Sequence, residues 1–503
     1  MIILRLVTDY LAAAAEKWPG KIAVVDEVRQ MTYGELWREA ERIGAFLASR
    51  MEKKAPVALW FGLEGRSIAA SQGIVLAGLP YAPLDISMPK KRLAKIFGTL
   101  EASAIITNRV CSEDVKKFAA TLPQVPEVYT YEDMTEVKPS GAELAILDRV
   151  ESVRTEDDAL SIIFTSGSTG SPKGVISSHR MLTACTQWQV KALHMDETTV
   201  RAAQSPLYFA MGAYLDVYAT IAAGGELHLL PKSLFLFKRK LISELARRKI
   251  NLIFWVPSVM RSIVESKALA LEELPPLRTI AFCGEPMPPQ ILAEWFKAFP
   301  RATFSNHYGS TEVTIAAWQE LDRDTVLSMG KPCGEKELVI VTEDGSQAAP
   351  GEVGEILVRG PVAVGYLGDR ERTEEAFGVE ERTGKRFFHT GDLARIDENG
   401  DMVYVSRSDA QVKHMGYRIE LGEIESAALT IEGLSAGVCL FDKEKDELVL
   451  FYVADDALRG KDILRQLSDS LPRYMWPARL KKLEAMPQTE GGKIDRRALK
   501  EMF

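Results

Sequence analysis

Helical and strand patterns alternate along the first part of the chain, and this alternation constrains the fold more than any other feature. Residues 31–49 place Leu36, Ala40 and Ile43 at helical spacing, and residues 66–78 form a second helical pattern. Short apolar runs such as 55–61 are typical of buried strands. Strands that alternate with helices predict parallel sheets covered by helices, which is an α/β fold.

The pattern changes at about residues 330–404. Three short apolar runs, at 337–342, 354–360 and 401–406, are separated by Asp-Gly, Pro-Gly and Asn-Gly pairs. Such pairs favour hairpin turns, so we expect a β-rich subdomain there. The remaining segment, 408–503, has its own alternation of strand and helix patterns. A chain of 503 residues is long enough for about two to four domains.

A loop rich in glycine and hydroxyl residues follows a short apolar run at 160–164. Its glycines let backbone N–H groups approach a ligand, its hydroxyls add donors, and its lysine supplies a charge suited to phosphate oxygens. The spacing is not that of a Walker A loop. By itself, the segment is as compatible with a flexible surface loop between two elements as with a phosphate-binding loop. The residues expected to cradle phosphate are Thr165, Ser166, Gly167, Ser168, Thr169, Gly170 and Lys173.

A second motif, at 306–312, follows a strand-like run, and α/β folds bind ligands at the carboxyl ends of strands. Tyr308 could stack on a flat base, and Glu312 offers a hard oxygen ligand suited to Mg²⁺. Five further motifs accompany it, at 354–367, 390–392, 404–413, 416–425 and 487–495.

Together, these seven motifs resemble the signatures of the adenylate-forming enzymes, the family of acyl-CoA synthetases, luciferases and nonribosomal-peptide adenylation domains. The resemblance covers about residues 8–494, and segment 416–425 is close to the form found in amino-acid-type adenylation domains. Ser310 stands where the family usually has proline, a departure that changes loop stiffness more than chemistry.

The resemblance implies a particular arrangement of this α/β fold. A large N-terminal domain, 1–407, would consist of stacked mixed sheets with helices and would include the β-rich subdomain. A small, mobile α+β C-terminal domain, 408–503, would carry the catalytic lysine Lys493 and would turn about a hinge at Asp409.

The resemblance also assigns roles to individual residues. Lys493, Glu312 and Thr165 would be catalytic, Glu312 would hold Mg²⁺, and Gly416 would lie at the channel that admits a thiol. Besides the loop that begins at Thr165, the residues expected to bind ATP or AMP are Asn306, His307, Tyr308, Gly309, Ser310, Thr311, Asp392, Tyr404, Arg407 and Lys493.

The implied reaction has two steps. A carboxylate attacks the α-phosphorus of ATP, which gives an acyl-adenylate and pyrophosphate. A thiol then displaces AMP. Because the sequence ends at Phe503 without a carrier segment, we expect the thiol in trans, as phosphopantetheine on a carrier protein or as coenzyme A.

The acid substrate is less constrained. Amino-acid-activating members place an aspartate in a Phe-Asp-x-Ser segment, where it binds the substrate's α-ammonium. Here that position falls on Met211 if Asp216 matches a later acidic residue, or on Ala210 if Phe209 matches the phenylalanine, so neither alignment supplies a carboxylate. The other predicted pocket positions are Gly212, Leu215, Trp255, Ala281, Cys283, His307, Ile315 and Ala316.

This apolar pocket predicts an aryl acid of benzoate or anthranilate type, without an α-amine. Three alternatives stay open: an α- or β-amino acid carrier-protein ligase, an acyl-CoA ligase, and an inactive scaffold that kept the fold. The presence of Lys493, Glu312 and Asp392 argues against the scaffold.

Composition excludes other classes of function. A net charge of −8 argues against a nucleic-acid partner, and five dispersed cysteines are typical of reduced intracellular thiols. Arg5, Asp9 and Glu16 interrupt the apolar N-terminus, so it predicts neither a signal peptide nor a membrane span. We therefore expect a cytoplasmic protein with no membrane partner.

Overall fold

The computed structural model describes residues 5–51, 55–167, 171–398, 400–407, 411–488 and 494–503. The predicted α/β class is confirmed. The chain divides into two compact units. The first contains Met1–Asp85, Glu101–Ile163 and Gly174–Ser408, and the second contains Ile86–Leu100, Phe164–Lys173 and Asp409–Phe503. Two short segments therefore join the C-terminal residues in the second unit, which the sequence did not indicate.

The α-helices of the described residues are α1 (Val7–Lys17), α2 (Tyr33–Arg50), α3 (Gly65–Leu76), α4 (Lys90–Leu100), α5 (Ser112–Ala119), α6 (Tyr131–Thr135), α7 (Gly141–Val153), α8 (His179–Ala192), α9 (Val217–Ala223), α10 (Lys238–Arg247), α11 (Pro257–Glu265), α12 (Pro289–Ala298), α13 (Arg370–Ala376), α14 (Leu421–Leu429), α15 (Gly460–Ser468) and α16 (Arg496–Lys500). A π-helical turn spans Met211–Asp216, and 3₁₀ helices span Lys232–Leu236, Ala268–Ala270 and Arg473–Met475.

The strands are β1 (Ile22–Val25), β2 (Gln30–Thr32), β3 (Val57–Trp60), β4 (Tyr81–Pro83), β5 (Ala104–Thr107), β6 (Glu127–Thr130), β7 (Ala159–Thr165), β8 (Lys173–Ser178), β9 (Val200–Ala203), β10 (Glu226–Leu229), β11 (Leu252–Trp255), β12 (Thr279–Cys283), β13 (Thr303–Ser310), β14 (Thr314–Leu321), β15 (Lys331–Pro332), β16 (Glu337–Val341), β17 (Gly354–Arg359), β18 (Gly365–Tyr366), β19 (Phe377–Val379), β20 (Arg386–Ile396), β21 (Met402–Arg407), β22 (Gln411–His414), β23 (Tyr417–Glu420), β24 (Leu434–Asp442), β25 (Glu447–Ala454) and β26 (Arg479–Lys482).

Two mixed sheets form most of the first unit. One has nine strands in the order β15-β14-β13-β12-β11-β9-β10-β1-β2, and the other has seven in the order β18-β8-β7-β4-β3-β5-β6. Strands β9 to β13 pair in parallel, whereas β13 and β14 are antiparallel. A five-stranded sheet contains β16, β17, β19, β20 and β21, within the range predicted to be β-rich.

Local sequence explains where α2 begins. The Thr32 hydroxyl accepts a hydrogen bond from the backbone N–H of Glu35, and the Glu35 carboxylate accepts from the backbone N–H of Thr32. This reciprocal capping box satisfies two N–H groups that the first helical turn leaves unpaired. The inner face of α2 then buries Leu36, Ala40 and Ile43, the residues that the helical spacing identified.

Alternation of side chains along parallel strands divides the core into two layers. Phe254 of β11 lies opposite Ala281 of β12, and Cys283 lies opposite His307 of β13, all on one face of the nine-stranded sheet. Trp255 and Phe282 point to the other face, where they join a separate apolar cluster. The first face carries the candidate site.

The second unit has its own core. Strands β24, β25 and β26 form a three-stranded sheet, and β22 pairs with β23. Apolar residues of α14 and α15 pack on the three-stranded sheet. Arg92 of α4 forms a buried ion pair with Glu423 of α14. The sequence could not indicate this pair, because its partners lie 331 residues apart.

Candidate active site

Three of the predicted nucleotide-binding residues meet in the first unit. The Tyr308 hydroxyl donates to Asp392 Oδ2 at 2.5 Å, and Arg407 Nη1 donates to Asp392 Oδ1 at 2.7 Å. Arg407 also donates to the carbonyl oxygen of Thr390 at 3.2 Å. Burial and the adjoining Asp392 carboxylate raise the pKa of Tyr308 well above its ordinary value, so the phenol remains a proton donor.

A second carboxylate holds the irregular stretch of β20 that carries Asp392. Glu355 accepts from the backbone N–H of Gly391 at 2.7 Å and lies 3.0 Å from His389 Nδ1. Gly391 has a φ of +70°, a conformation that favours glycine. The sequence placed Glu355 in a structural motif of the β-rich subdomain and missed this supporting contact.

Glu312 lies at a tight turn between β13 and β14. Its side chain is fully buried, and the Tyr366 hydroxyl donates to its Oε1 at 3.0 Å. A Cβ atom on Gly309 would lie 1.8 Å from the carbonyl oxygen of Thr314, so only glycine fits there. The turn therefore requires Gly309, and Tyr366 orients the Glu312 carboxylate.

The described part of the phosphate loop belongs to the second unit. Ser166 Oγ donates to the carbonyl oxygen of Arg418 at 2.6 Å and accepts from the backbone N–H of Glu420 at 3.3 Å. Thr165 Oγ1 is buried and has no hydrogen-bond partner among the described residues. Gly416, with a φ of +80°, lies in the turn between β22 and β23. The remaining predicted residues of this group, Ser168, Thr169, Gly170, Asp409 and Lys493, lie outside the described residues.

Most predicted acid-pocket residues come together in the first unit. We call this apolar group the acid-side cluster, and its buried members are Cys185, Leu193, Met195, Leu215, Ala219, Ala223, Leu252, Phe254, Ala281, Cys283, Ile315 and Cys333. Met211, Trp188 and Trp318 pack against it while partly buried. All five cysteines of the chain are free thiols.

His307 lies among the aromatic rings of this cluster. Its ring centroid is 4.8 Å from that of Phe254 and 5.7 Å from that of Trp188. Burial, together with the charge of Arg201, lowers the pKa of His307 to about 3, so its imidazole is neutral near pH 7. The Ser305 hydroxyl lies 2.8 Å from Nε2, while Nδ1 has no partner among the described residues.

The segment that contains both candidate amine-binding positions ends in a π-helical turn, Met211–Asp216. The alignments differ by one residue, and a π turn accommodates one extra residue in a helix. Met211 packs against the acid-side cluster, whereas Ala210 packs against a different core cluster. A Cβ atom on Gly212 would lie 2.3 Å from the carbonyl oxygen of Pro206, so the turn needs glycine there.

Besides Ala210, two predicted pocket residues lie outside the acid-side cluster. The indole of Trp255 points to the opposite face of β11, where its Nε1 donates to the carbonyl oxygen of Ala202 at 3.0 Å and its ring packs on Phe235. Phe254, its neighbour in sequence, takes the inward position instead. Ala316 belongs to the larger core cluster and not to the acid-side cluster. The alternation of side chains along β11 was the signal that could have identified Phe254.

A buried ion pair lies beneath this site. Arg201 of β9 and Asp216 of the π turn are both fully buried, with Nη2 and Oδ1 2.5 Å apart. The guanidinium carbon of Arg201 lies 5.6 Å from the centre of the Phe254 ring. Burial raises the pKa of Asp216 to about 6, and the Arg201 charge opposes that rise. The Asp216 carboxylate is therefore compensated within the protein. Sequence reasoning missed Arg201.

Within the described ranges, no group of three or more His, Cys, Asp and Glu side chains could hold a metal ion. The same part of the chain contains no helix long and apolar enough to cross a membrane.

Comparison with known proteins identifies the family. The AMP-binding enzyme family matches residues 11–367. A D-alanine–D-alanyl carrier protein ligase of Bacillus licheniformis is 32% identical over 504 residues, which cover 97% of each chain. The Vibrio cholerae adenylation domain AlmE, in complex with glycyl-adenosine-5′-phosphate, has a TM-score of 0.86 at 21% identity and covers 100% of this chain, with 98% of its own length matched.

A further structure shares the fold. A double mutant of the o-succinylbenzoate CoA synthetase of Bacillus subtilis has a TM-score of 0.84 at 20% identity, and 98% of each chain is covered. The protein is thus an AMP-forming adenylating ligase. The chain belongs to the AMP-binding enzyme family, and the predicted resemblance is confirmed.

Proposed function

We propose that this protein activates a carboxylic acid without an α-amine, of the benzoate or anthranilate type, and transfers it to the phosphopantetheine thiol of a carrier protein in trans. The observation that carries the choice of acid is the environment of the amine-binding position. We assign that position to Met211, which packs against the acid-side cluster and offers no carboxylate, and the nearby Asp216 carboxylate is paired with Arg201. An α-ammonium in this pocket would be buried without a counter-charge, which is costly.

Aromatic packing supports an aryl acid. The rings of Trp188, Phe254 and Trp318 surround the neutral His307, and a planar substrate ring can pack on their faces or edges. Such ring pairs contribute roughly 0.5–1.5 kcal/mol beyond area burial. His307 Nδ1, which has no partner among the described residues, could bond a hydroxyl or amino substituent on the substrate ring.

ATP would be bound by the residues that the motifs predict. A carboxylate has about four acceptor sites, and Tyr308 and Arg407 occupy two on Asp392, so its remaining sites can accept ribose hydroxyls. The loop from Thr165 to Lys173 would bind the phosphates. Asn306, Thr311 and Tyr404, which belong to two other motifs, would also contact ATP or AMP. Lys493 would stabilise the charge that develops as the carboxylate attacks the α-phosphorus.

Glu312 fits Mg²⁺. It offers hard carboxylate oxygens on a buried side chain that the Tyr366 hydroxyl orients. This donor set suits an ion held by one carboxylate and by substrate phosphates. When bound, Mg²⁺ would neutralise phosphate charge, while Tyr366 keeps the Glu312 carboxylate in place.

The acceptor is proposed from the relatives. Ligases named for a D-alanyl carrier protein match nearly the whole chain. Between the two half-reactions, the C-terminal domain would rotate about Asp409. This rotation would remove Lys493 from the active site and bring the Gly416 turn to it. Coenzyme A is the alternative acceptor.

A small amino acid is the second candidate substrate. The carrier-protein ligase of Bacillus licheniformis takes its name from D-alanine, and AlmE is described in complex with a glycyl adenylate. In this case the substrate ammonium would need a carboxylate from another position, because Met211 carries no charge.

Exchange of pyrophosphate into ATP tests the choice of substrate. We expect benzoate, salicylate or anthranilate to support exchange at least about tenfold faster than alanine, glycine or β-alanine, because burying an unpaired ammonium costs several kcal/mol. Met211→Asp should lower exchange with aryl acids and raise it with amino acids. Met211→Leu is the matched control and should keep the wild-type preference. High turnover with an amino acid and none with any aryl acid would disprove the aryl proposal.

Asp392→Asn tests the ribose contact. The amide loses the charge that Arg407 pairs with, and hydrogen bonds to charged groups contribute about 1.5–3 kcal/mol. We expect the KM for ATP in the exchange assay to rise roughly ten- to hundredfold. Glu355→Gln, which affects only the supporting contact to the Gly391 N–H in β20, should raise the KM less. A fall in kcat with an unchanged KM for ATP would remove Asp392 from ribose binding.

A further inference from the structure

Residues 232–249 are strongly basic although the chain as a whole is acidic. They contain seven Lys and Arg residues and one Glu, a net charge of +6, whereas the whole chain carries −8. The segment folds as the 3₁₀ helix Lys232–Leu236 followed directly by α10. Because α10 buries Leu241, Ile242 and Leu245, its opposite face leaves Arg239, Lys240 and Arg247 exposed.

Two large apolar side chains face solvent where these helices meet. Leu236 is 76% exposed and Phe237 is 64% exposed. The preceding residues fix them in place, because Leu234 is buried and the ring of Phe235 lies 5.5 Å from that of Trp255. Single exposed apolar residues are ordinary on protein surfaces, but an adjacent, anchored pair among cations is not explained in that way.

Cations flank the apolar pair on both sides. In sequence, the exposed Lys232 precedes the pair and donates to the Tyr208 hydroxyl at 2.8 Å, while the exposed Arg239 and Lys240 follow it. Lys238 bonds the carbonyl oxygen of Phe235 and so ties the two helices together. We call residues 232–240 the basic apolar tip.

We propose that the basic apolar tip attaches this protein reversibly to the surface of a bilayer that contains anionic phospholipid. Leu236 and Phe237 would enter the boundary between headgroups and acyl chains, as the apolar residues of interfacial helices do. Lys232, Arg239 and Lys240 would meet the lipid phosphates, an attraction that is strongest when the leaflet is anionic. Such attachment is peripheral and requires no membrane-spanning helix, but it departs from the expectation, drawn from the sequence, of no membrane partner.

The geometry favours a bilayer over a protein partner. A specific protein interface generally buries about 1,000 Å² or more, far beyond the area that two adjacent side chains supply. A second copy of this chain related by a two-fold axis would place the same cations against one another. A fluid, anionic surface needs no shape complementarity and satisfies both the apolar pair and the cations.

The attachment would not depend on which acid the enzyme activates. Leu236 and Phe237 belong neither to the acid-side cluster nor to the residues that contact Asp392. Variants at the tip should therefore keep wild-type pyrophosphate exchange, which also reports that they are folded.

Vesicle flotation of the full chain tests this proposal. The probes are vesicles of phosphatidylcholine alone and vesicles with about one third phosphatidylglycerol, at low salt and at about 0.5 M salt. We expect at least about tenfold stronger partitioning onto the anionic vesicles, with most of it lost at high salt. Leu236→Ser with Phe237→Ser should lower partitioning about tenfold or more, since both apolar anchors are removed.

Matched variants separate the contributions. Val110→Ser changes a side chain that is 90% exposed and distant in sequence from the tip, and should have no effect on partitioning. Arg239→Gln with Lys240→Gln should reduce the preference for anionic lipid. Brominated lipid should quench the tryptophan fluorescence of Phe237→Trp more strongly than that of the wild type. Equal partitioning of wild type and the Leu236/Phe237 double variant, or no partitioning onto anionic vesicles, would overturn the proposal. Binding of an acidic carrier protein at the tip without any vesicle partitioning would also overturn it.

Discussion

Glu312→Gln is expected to lower pyrophosphate exchange by about two to three decades. Glutamine keeps the size of the side chain and can still accept from Tyr366, but it has no charge to offer a divalent cation. Loss of one well-placed electrostatic contact at a charge-developing centre typically costs about this much in rate. The measurement is kcat/KM for exchange at saturating Mg²⁺, with the cation concentration then varied.

Tyr366→Phe is the matched control. It removes the hydrogen bond to Glu312 and keeps the carboxylate, so a loss of only about tenfold is expected, the scale of one hydrogen bond to a charged group. Two results would contradict the assignment: Glu312→Gln retaining exchange, or Tyr366→Phe losing as much as Glu312→Gln.

The sequence could single out candidate nucleotide-binding residues because the motifs carry their chemistry in residue type. Tyr308, Asp392 and Arg407 come from three separate segments, yet each was singled out within its own motif, and the structure brings all three into contact. No spacing rule connects these segments. Their meeting depends on the pairing of β20 with β21 and on the irregular stretch of β20 that Glu355 holds.

The acid side was predicted less well, for two geometrical reasons. A shift of one residue along a strand moves a side chain to the opposite face, so Trp255 was expected where Phe254 lies. The alignment through residues 209–216 was ambiguous because a π turn inserts one residue into a helix without any marker in the sequence. Met211 and Ala210 pack against different clusters, and of the two only Met211 contacts the acid-side cluster.

The sequence did not predict the buried ion pairs between separate elements. Arg201 lies on a strand and Asp216 on a helical turn, and 62 basic and 70 acidic residues in the chain offer too many possible pairs. The apolar neighbours of Arg201 were the only local hint that its side chain is buried.

Arg201→Met is expected to destabilise the first unit by about 3–5 kcal/mol. Removing one member of a fully buried ion pair leaves the other charge without compensation, and both side chains here are 0% exposed. Replacement of both partners, as Arg201→Met with Asp216→Leu, should recover much of that loss, because no charge then remains buried. Tryptophan fluorescence during urea unfolding follows this unit, since seven of the eight tryptophans lie within its segments.

The dependence on pH gives a second readout of the same pair. The folded-state pKa of Asp216 already lies above its ordinary value, so the folded protein binds more protons there between about pH 4 and 6, and stability falls as pH rises through that window. Loss of the Arg201 charge should raise the pKa of Asp216 further and extend this fall above pH 6. The double variant should lack the extension. The stability difference between the single variant and wild type should therefore be larger at pH 8 than at pH 5. If it were the same at both pH values, Asp216 would not be the group that is left without a counter-charge.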